Sequence, residues 1–352
     1  MKIMTVIGAR PQFVKAAALS RAFDEHRPDI CEVLVHTGQH YDTNMSQVFF
    51  DELQIPRPQY NLGIGGGTHG QNTGRMLESL EALAMDISPD WVVVFGDTDS
   101  TLAGALVAAK LHIPIAHVEA GLRSFNRRMP EEINRVLTDH ISDLLFAPSE
   151  ASRSNLLQEG VDADKIDVFG DVMYDVALYY TDRARRPDWF TKSNLEENAF
   201  ALCTIHRAEN TDQIDSLRGI LGGLASSPVP VVLPLHPRTR GRVADAGLEW
   251  PENVWVTDPV GYLEMVWLES HCSFVLTDSG GVQKEAYFHG KPCITLREET
   301  EWVELVERGW NRLAGSDASR IAECLNSITL PEHAPELYGQ GDAAVRMAKA
   351  IR

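Results

Sequence analysis

Short apolar runs alternate with segments of helix length from one end of the chain to the other. The runs are rich in valine and isoleucine and apolar at successive positions, which is typical of parallel strands covered on both faces. This repeated pattern favours an α/β protein with doubly wound sheets. The predicted strands span residues 3–7, 32–36, 91–95, 115–118, 144–147 and 166–169 in the first half, and 199–204, 231–235, 254–256, 274–277 and 293–296 in the second.

The alternation weakens between Asp171 and Asn198, where the chain is polar and charged. Such a stretch is typical of a helix followed by a linker, so we place the domain boundary there. The prediction is an N-terminal Rossmann-like domain over residues 1–170 and a C-terminal one over residues 171–339, with a cleft between them. Ligands of such sheets bind beyond the carboxyl ends of the strands, and residues that directly follow strands are therefore the site candidates.

Composition predicts a globular protein of the cytoplasm, since 44% of the 352 residues are hydrophobic and 23% are charged. No apolar run approaches the roughly 20 residues that span a bilayer, and the first run is too short for a secretory signal. The net charge of −18 argues against nucleic acid and anionic membranes as partners, although solubility alone explains such acidity. Five scattered cysteines without a C-x-x-C pair predict neither disulfides nor a zinc site.

The segment that follows residues 274–277 predicts a phosphate-binding turn. Ser279 is followed by Gly280 and Gly281, and glycine lets a backbone approach a ligand closely. The first amides of the next helix have no internal partners, and together with the helix dipole they favour an anion. Glu285 lies one turn further on and could accept hydrogen bonds from a ribose hydroxyl. The segment therefore predicts a bound nucleoside diphosphate.

Candidate acids and cations follow the strands of the first half. Arg10 and Lys15 lie at the first strand–helix turn, where they could meet phosphate or serve as surface cations. That turn lacks the G-x-G-x-x-G pattern, which disfavours a nicotinamide dinucleotide. Asp97 is a candidate general base or an acceptor for a substrate hydroxyl. The alternative is a structural role in which it only caps the N-terminus of the next helix. Glu119 supplies a second carboxylate at a strand end.

Two further groups carry charged residues at helix starts. Glu131 and Arg135 are four residues apart and share a helix face, where an ordinary surface ion pair is the usual outcome. His206 and Arg207 follow a strand of the second half and can both donate to phosphate oxygens. A lone histidine is more often structural, but the adjacent arginine favours a functional interpretation. His236 repeats the pattern one strand later.

These residues divide the predicted chemistry between the two halves. The first half supplies carboxylates, and the second supplies the phosphate-binding turn and cations. The division suits a sugar nucleotide held by its diphosphate in one domain, with its sugar facing acids in the other. The cations would stabilise charge on a departing diphosphate, and the acids would move protons on the sugar.

Six motifs, taken in order between Met1 and about Gly315, resemble the motif set of the non-hydrolysing UDP-N-acetylglucosamine 2-epimerases. They are Gly8-Ala9-Arg10-Pro11-Gln12-Phe13, Gly96-Asp97-Thr98, His117-Val118-Glu119-Ala120-Gly121-Leu122-Arg123, Pro130-Glu131-Glu132-Ile133-Asn134-Arg135, His206-Arg207-Ala208-Glu209-Asn210 and Asp278-Ser279-Gly280-Gly281-Val282-Gln283.

The resemblance implies a glycosyltransferase-B-like fold of two Rossmann-like domains, with a C-terminal helix at about residues 340–352 returning to the first domain. It implies a homodimer that acts on a UDP-sugar and uses no metal and no nicotinamide cofactor. Carried over by position, the catalytic residues are Asp97, Glu119, Glu131, Arg135 and His206. The implied substrate-binding residues are Arg10, Lys15, Arg207, His236, Ser279, Gly280, Gly281 and Glu285.

The implied reaction interconverts UDP-N-acetylglucosamine and UDP-N-acetylmannosamine. Loss of UDP from C1 leaves an oxocarbenium-like carbon that acidifies the C2–H bond, and elimination gives a 2-acetamidoglucal. Reprotonation on the other face and return of UDP give the manno epimer. UDP and glycal must stay together, away from water, until the second half-reaction is complete. Products of such enzymes feed surface polysaccharides.

The chain departs from the family pattern at Thr300-Glu301-Trp302-Val303-Glu304, where Trp302 replaces a substrate-contacting arginine. An Arg-Gln pair of the family is also replaced near Thr68-His69, so activation by a second UDP-sugar is not expected. These features resemble relatives acting on UDP-2,3-diacetamido-2,3-dideoxy-glucuronate, the second candidate substrate. Its carboxylate needs a further cation, for which the candidates are Arg123, Arg127, Arg128 and Arg297. A glycosyltransferase of the same fold and a non-catalytic UDP-sugar sensor are the two competing hypotheses.

Overall fold

The computed structural model describes residues 1–39, 56–331 and 336–352, and the side chain of Arg10 lies outside the described part. The chain divides into two compact units. The first is Met1–Val176 together with Glu336–Arg352, and the second is Ala177–Pro335. No helix in the described part is long and apolar enough to cross a membrane.

Each unit contains one sheet, and all strand pairs among the described residues are parallel. The strands of the first unit are β1 (Lys2–Ile7), β2 (Cys31–His36), β3 (Tyr60–Asn61), β4 (Trp91–Phe95), β5 (Ile115–Val118), β6 (Leu144–Ala147) and β7 (Ile166–Val168). Those of the second are β8 (Ala201–Thr204), β9 (Val231–Pro234), β10 (Val254–Thr257), β11 (Phe274–Thr277), β12 (Cys293–Thr295) and β13 (Asn311–Leu313).

Both sheets have the doubly wound strand order of Rossmann-like domains. The first runs β3-β2-β1-β4-β5-β6-β7 and the second β10-β9-β8-β11-β12-β13. In each sheet the order reverses beside the first strand, between β1 and β4 and between β8 and β11. Such reversal points are where ligands bind in open α/β sheets. The predicted class of two doubly wound α/β domains is confirmed.

Helices connect the strands in both units. They are α1 (Arg10–His26), α2 (His69–Ile87), α3 (Asp99–Lys110), α4 (Pro130–Ile141), α5 (Glu150–Gln158), α6 (Val172–Thr181), α7 (Ala208–Thr211), α8 (Ile214–Leu224), α9 (Pro237–Asp245), α10 (Tyr262–His271), α11 (Gly280–Phe288), α12 (Val303–Glu307), α13 (Ala318–Asn326) and α14 (Ala343–Ala350).

The central strands are apolar at successive positions because both of their faces are covered. Val92, Val93 and Val94 are all fully buried in β4. Val92 and Val94 pack in one cluster with Met76 and Leu80 of α2. Since alternate residues of a strand point to opposite faces, full burial of consecutive valines requires cover on both sides.

Strands β3 and β13 were missed from the sequence. They have two and three residues and lie at the edges of their sheets. Tyr60-Asn61 and Asn311-Arg312-Leu313 carry no run of β-branched or aliphatic residues. An edge strand this short is defined by its neighbour's backbone rather than by its own side chains, and periodicity could not reveal it.

The C-terminal helix α14 packs on α1 within the first unit. The guanidinium of Arg27 donates to the carbonyls of Ala348 and Ile351, both at 2.8 Å. At the other end of α14, the carboxylate of Asp175 accepts from the amides of Ala343 at 3.2 Å and Ala344 at 2.9 Å. The two bonds to Asp175 satisfy the first amides of α14, which have no partner within the helix.

Candidate active site

Four residues predicted at strand ends lie at one edge of the first sheet. Gly8, Thr37, Gly96 and Glu119 directly follow β1, β2, β4 and β5. These strands are neighbours in the order β2-β1-β4-β5, and all are parallel. Their carboxyl ends therefore meet at the same edge, beside the point where the strand order reverses.

Asp97 and Arg135 form an ion pair at this edge. The Nη2 of Arg135, on α4, donates to the Oδ2 of Asp97 at 2.5 Å. The Asp97 side chain is 29% exposed, and yet desolvation by the surrounding protein raises the pKa of its carboxyl. Arg135 opposes this rise, whereas the nearby charge of Glu119 adds to it. A carboxyl with a raised pKa is suited to taking up and releasing a proton.

Glu119 forms an ion pair with Lys15 of α1, and both side chains are at least 90% buried. Its backbone has a φ of 74°, in the left-handed region that non-glycine residues rarely adopt. A Cβ at Gly96 would lie 3.3 Å from the Glu119 carboxylate, so glycine leaves room for this pair. Arg10 begins α1, but its predicted contact cannot be placed because its side chain is outside the described part.

Glu131 is not brought to the Asp97 pair. Its side chain is exposed in the first turn of α4, and among the described residues no hydrogen bond or ion pair is recorded for it. The neighbouring Glu132 is 2% exposed and lies 3.2 Å from the Nη1 of Arg135. The Glu132 carboxylate also accepts from the amides of Ser124 and Phe125. Arg135 therefore pairs with Asp97 and Glu132 rather than with the residue four positions before it.

Gln12 ties the strand ends together, a role the sequence did not indicate. Its amide nitrogen donates to the carbonyl of Phe95 at 2.7 Å. Its oxygen accepts from the amides of Gly8 and Ala9 at 2.7 and 2.9 Å. Gln12 stands in a motif that was recognised, but nothing in the pattern distinguished a binding residue from one that holds two turns in place.

A second hydrogen-bonded pair, His69 and Asp99, lies beside Asp97. The Nδ1 of His69 is 2.9 Å from the Oδ2 of Asp99, and the other Asp99 oxygen accepts from Asn134 at 3.2 Å. The amide of Asn134 also donates to the backbone carbonyl of Asp97 at 3.0 Å. His69 stood out from the sequence only as a departure from the family pattern, and its pairing with Asp99 was not foreseen.

In the second unit, Ser279, Gly280 and Gly281 form the predicted turn at the start of α11. The hydroxyl of Ser279 caps the helix by accepting from the amide of Val282 at 3.4 Å. A Cβ at Gly280 would lie 2.2 Å from a carboxylate oxygen of Glu301, whereas one at Gly281 would meet nothing closer than 3.8 Å. The helix start is therefore open at Gly281 and closely packed at Gly280.

His206 and Arg207 follow β8, the strand next to β11. The fully buried Asp278 organises them, since its carboxylate accepts from both backbone amides at 3.1 Å and lies 2.9 Å from the His206 Nδ1. Burial alone would raise the pKa of Asp278, but His206 and Asn210 lower it. The His206 side chain is 61% exposed, so its ring is open to a ligand.

The three remaining residues predicted to contact substrate, His236, Arg297 and Glu285, differ in how exposed their side chains are. His236 caps α9, where its Nδ1 accepts from the amide of Arg238 at 3.2 Å, and its side chain is exposed. Arg297 is 5% exposed and donates to Glu301 at 2.9 Å, so its charge is engaged inside the protein. Glu285 lies half-buried on α11.

Trp302, which replaces the expected arginine, is 3% exposed and packs beneath the glycine turn. Its indole nitrogen donates to the carbonyl of Gly280 at 2.9 Å. The ammonium of Lys284 lies 4.0 Å from the centre of the Trp302 ring, a cation–π contact. Trp302 therefore supports the backbone of the turn.

Among the described residues, no group of three or more His, Cys, Asp or Glu side chains could hold a metal ion.

Comparison with known proteins places this geometry in one family. The model of the UDP-N-acetylglucosamine 2-epimerase family matches residues 22–352. The chain is 53% identical to a UDP-2,3-diacetamido-2,3-dideoxy-D-glucuronate 2-epimerase of Pseudomonas aeruginosa, over 100% of this chain and 99% of that protein. It is 42% identical to a UDP-N-acetylglucosamine 2-epimerase of Methanocaldococcus jannaschii, with the same coverage.

Solved structures agree with the sequence relatives. The crystal structure of the Methanocaldococcus jannaschii enzyme in complex with UDP-GlcNAc and UDP matches with a TM-score of 0.87 at 42% identity, over 99% of each chain. The Neisseria meningitidis UDP-GlcNAc 2-epimerase bound to UDP-GlcNAc also matches with a TM-score of 0.87, at 32% identity, over 100% of this chain and 99% of that one.

The family predicted from the six motifs is confirmed by these full-length matches. They also support the glycosyltransferase-B-like fold class. The chain belongs to the UDP-N-acetylglucosamine 2-epimerase family, whose members are isomerases that act on UDP-sugars.

Proposed function

We propose that this chain interconverts the C2 epimers of a UDP-2-acetamido sugar without hydrolysing it. The observation that carries the proposal is a pair of carboxylates, Asp97 and Glu119, at the ends of adjacent strands. Each is paired with a cation, Arg135 or Lys15. Two acids on the turns that follow adjacent strands, one with a raised pKa, suit proton exchange at a carbon atom.

The second unit would hold the UDP. Amides at the start of α11 and the exposed ring of His206 face the same sheet edge, since β8 and β11 are neighbours. Donors at a helix start favour a diphosphate, and more so as negative charge grows on it when the C1–O bond breaks. Glu285, one turn along α11, is the proposed acceptor for the ribose hydroxyls.

The acid residues would act on the sugar after UDP departs. Asp97 is the better proton carrier, because its raised pKa brings the carboxyl nearer to neutral pH. Glu119 forms an ion pair with Lys15, and its carboxylate would face the oxocarbenium-like C1.

The identity of the sugar is the second part of the proposal. The 53% identity to the Pseudomonas aeruginosa enzyme favours UDP-2,3-diacetamido-2,3-dideoxy-glucuronate over UDP-N-acetylglucosamine. A uronate needs an additional cation. Arg123 is committed to Asp139 and Glu159, and Arg297 to Glu301. Arg127 and Arg128 are exposed just before α4 and are the proposed carboxylate contacts.

The test is proton NMR of each UDP-sugar with the enzyme in deuterated water. We expect a gluco–manno mixture that carries deuterium at C2, formed faster from the diacetamido-glucuronate. Asp97→Asn should slow label uptake by a factor of about 100 or more, whereas Glu81→Gln, at an exposed carboxylate of α2, should not change it. Epimer formed without label would rule out the proton-transfer route.

The same assay separates the competing hypotheses. A glycosyltransferase would leave the UDP-sugar unchanged until an acceptor is added, whereas an epimerase equilibrates it alone. A sensor would bind UDP but give no label in either sugar. A homodimer and a cytoplasmic location are part of the proposal, and analytical ultracentrifugation and cell fractionation are their respective measurements.

A further inference from the structure

His117 is fully buried between two hydrogen-bond acceptors. Its Nδ1 lies 2.7 Å from the Oδ1 of Asp139, and its Nε2 lies 2.8 Å from the backbone carbonyl of Gly96. A peptide carbonyl can only accept, so the Nε2 must carry a proton. If Asp139 is ionised, it too can only accept, and then both ring nitrogens carry protons.

Asp139 is surrounded by donors that favour its ionised form. Its second oxygen accepts from Arg123 at 2.7 Å and from the amide of Gly121 at 3.1 Å. Burial by itself would raise the pKa of this carboxyl, but the charge and hydrogen bond of His117, followed by those of Arg123, lower it. Arg123 and the Gly121 amide favour the ionised carboxylate independently of His117, and an ionised Asp139 can only accept, so the hydrogen-bond geometry requires a proton on each His117 nitrogen.

The charges of the cluster balance in this state. Arg123 also donates to both oxygens of Glu159 at 2.7 Å, and the exposed His140 lies 3.1 Å from the same carboxylate. With His117 charged, two cations and two anions (His117, Arg123, Asp139 and Glu159) share a largely buried site. A neutral His117 would leave a net negative charge there, which a low-dielectric interior disfavours.

The cluster holds the two turns that carry the proposed acids. Gly96, whose carbonyl binds His117, directly precedes Asp97, and its φ of 60° makes a sharp turn after β4. Glu119 follows His117 by two residues, and Gly121, with a φ of 80°, is bound by Asp139. Between them Glu119 holds a φ of 74°, which is unfavourable for a residue with a side chain and therefore depends on such restraint.

We propose that His117, as an imidazolium, is the positioning residue that fixes the Gly96–Asp97 turn relative to Glu119. This inference rests on the proposed function. Being fully buried, His117 acts through Gly96 and Asp139 rather than on the substrate. Each of the two protons serves one acceptor, so removing either hydrogen bond would loosen the placement of the two acids.

Other charged groups surround this region and must be distinguished from His117. Asp97 and Glu119 lie on the turns themselves, Lys15 approaches from α1, and Arg135 from α4. All four are in the proposed site, so a change in rate by itself does not identify His117 as the cause. The test therefore needs variants at His117 and a direct observation of its ring.

Two substitutions separate the two hydrogen bonds. The side-chain amide of Gln reaches about as far as the Nε2 of histidine, so His117→Gln can still donate to the Gly96 carbonyl. The side-chain amide of Asn reaches only as far as the Nδ1 of histidine. His117→Asn therefore keeps the hydrogen bond to Asp139 and loses the one to the Gly96 carbonyl. We expect kcat to fall by a factor of about 10 in His117→Gln and about 100 in His117→Asn. KM and the Kd for UDP should change less than about twofold in both.

Nitrogen NMR of histidine-labelled wild-type enzyme gives the second readout and does not depend on a variant folding. We expect two protonated nitrogens on the buried ring at neutral pH, because each faces an acceptor. A neutral ring at neutral pH overturns the imidazolium assignment. Equal kcat in the two folded variants overturns the positioning role. If the wild type epimerises no UDP-sugar, the proposed function fails, while the NMR result still decides the state of His117.

Discussion

Arg135 donates to Asp97 across 2.5 Å, although 38 residues separate them in the chain. Desolvation raises the pKa of the Asp97 carboxyl, and the charge of Arg135 limits that rise. The arginine therefore controls the pH at which Asp97 loses its proton, and this relationship can be tested through the pH dependence of the rate.

Replacing Arg135 by Gln should raise the pKa of Asp97 further, because the opposing charge is removed. The acidic limb of kcat/KM should then move to higher pH, since an adjacent positive charge favours the ionised form of a carboxyl. Arg153→Gln, at a partly exposed arginine of α5, is the matched control and should leave the limb in place. An unmoved limb in Arg135→Gln would show that another group titrates there.

Gly280→Ala should weaken UDP binding more than Gly281→Ala. A Cβ at Gly280 would lie 2.2 Å from the Oε1 of Glu301, a carboxylate whose other oxygen accepts from Arg297, whereas one at Gly281 meets only Ser279, at 3.8 Å. We expect a loss of about tenfold or more in UDP affinity by calorimetry, equivalent to about 1.4 kcal/mol. Glu301→Ala combined with Gly280→Ala should recover part of the loss if the clash causes it. Equal losses in the two single variants would contradict the packing argument.

Asp278→Asn should disorder the segment that carries His206 and Arg207. The amide nitrogen of Asn would face backbone donors that now meet a carboxylate oxygen, which leaves buried donors without an acceptor. We expect a loss of roughly 2 kcal/mol in the free energy of unfolding from urea titration and a lower kcat/KM. Asp245→Asn, at an exposed carboxylate of α9, should show neither change. A variant of unchanged stability and rate would mean that Asp278 does not organise this segment.

Asp175 should make the first unit more stable as the solution becomes mildly acidic. Burial raises the pKa of its carboxyl to about 6, against the lowering effect of the Ala344 and Ala343 amides. The folded protein therefore keeps this proton at pH values where the unfolded chain, near 3.8, has lost it. The resulting penalty is full above the folded pKa and disappears as the pH falls from about 6 towards about 4.

The penalty amounts to at most about 3 kcal/mol, since each pKa unit corresponds to roughly 1.4 kcal/mol. The measurement is thermal unfolding of wild type and Asp175→Asn across this pH range. The stability difference between them should change with pH, whereas Asp182→Asn, at an exposed carboxylate, should parallel the wild type. Parallel curves for Asp175→Asn would contradict the raised pKa.

The sequence alone predicted the strands that are buried on both faces and the residues that follow them. Strand β4 could be read from Val92, Val93 and Val94, because a covered strand must be apolar at every position. Ser279, Gly280 and Gly281 could be read as an anion-binding turn because that backbone requires those residue types. Such signals are local, so they survive in a one-dimensional pattern.

Only the tertiary structure decided which charges meet. The sequence spacing suggested that Arg135 pairs with Glu131, but the fold pairs it with Asp97 and Glu132. His117, a residue of an ordinary apolar strand, lies between Gly96 and Asp139. Charged pairs depend on which strands become neighbours and how their turns are oriented, and burial then sets the energy of each charge. Neither the pairing of the strands nor the burial of a side chain is contained in the spacing of residues along the chain.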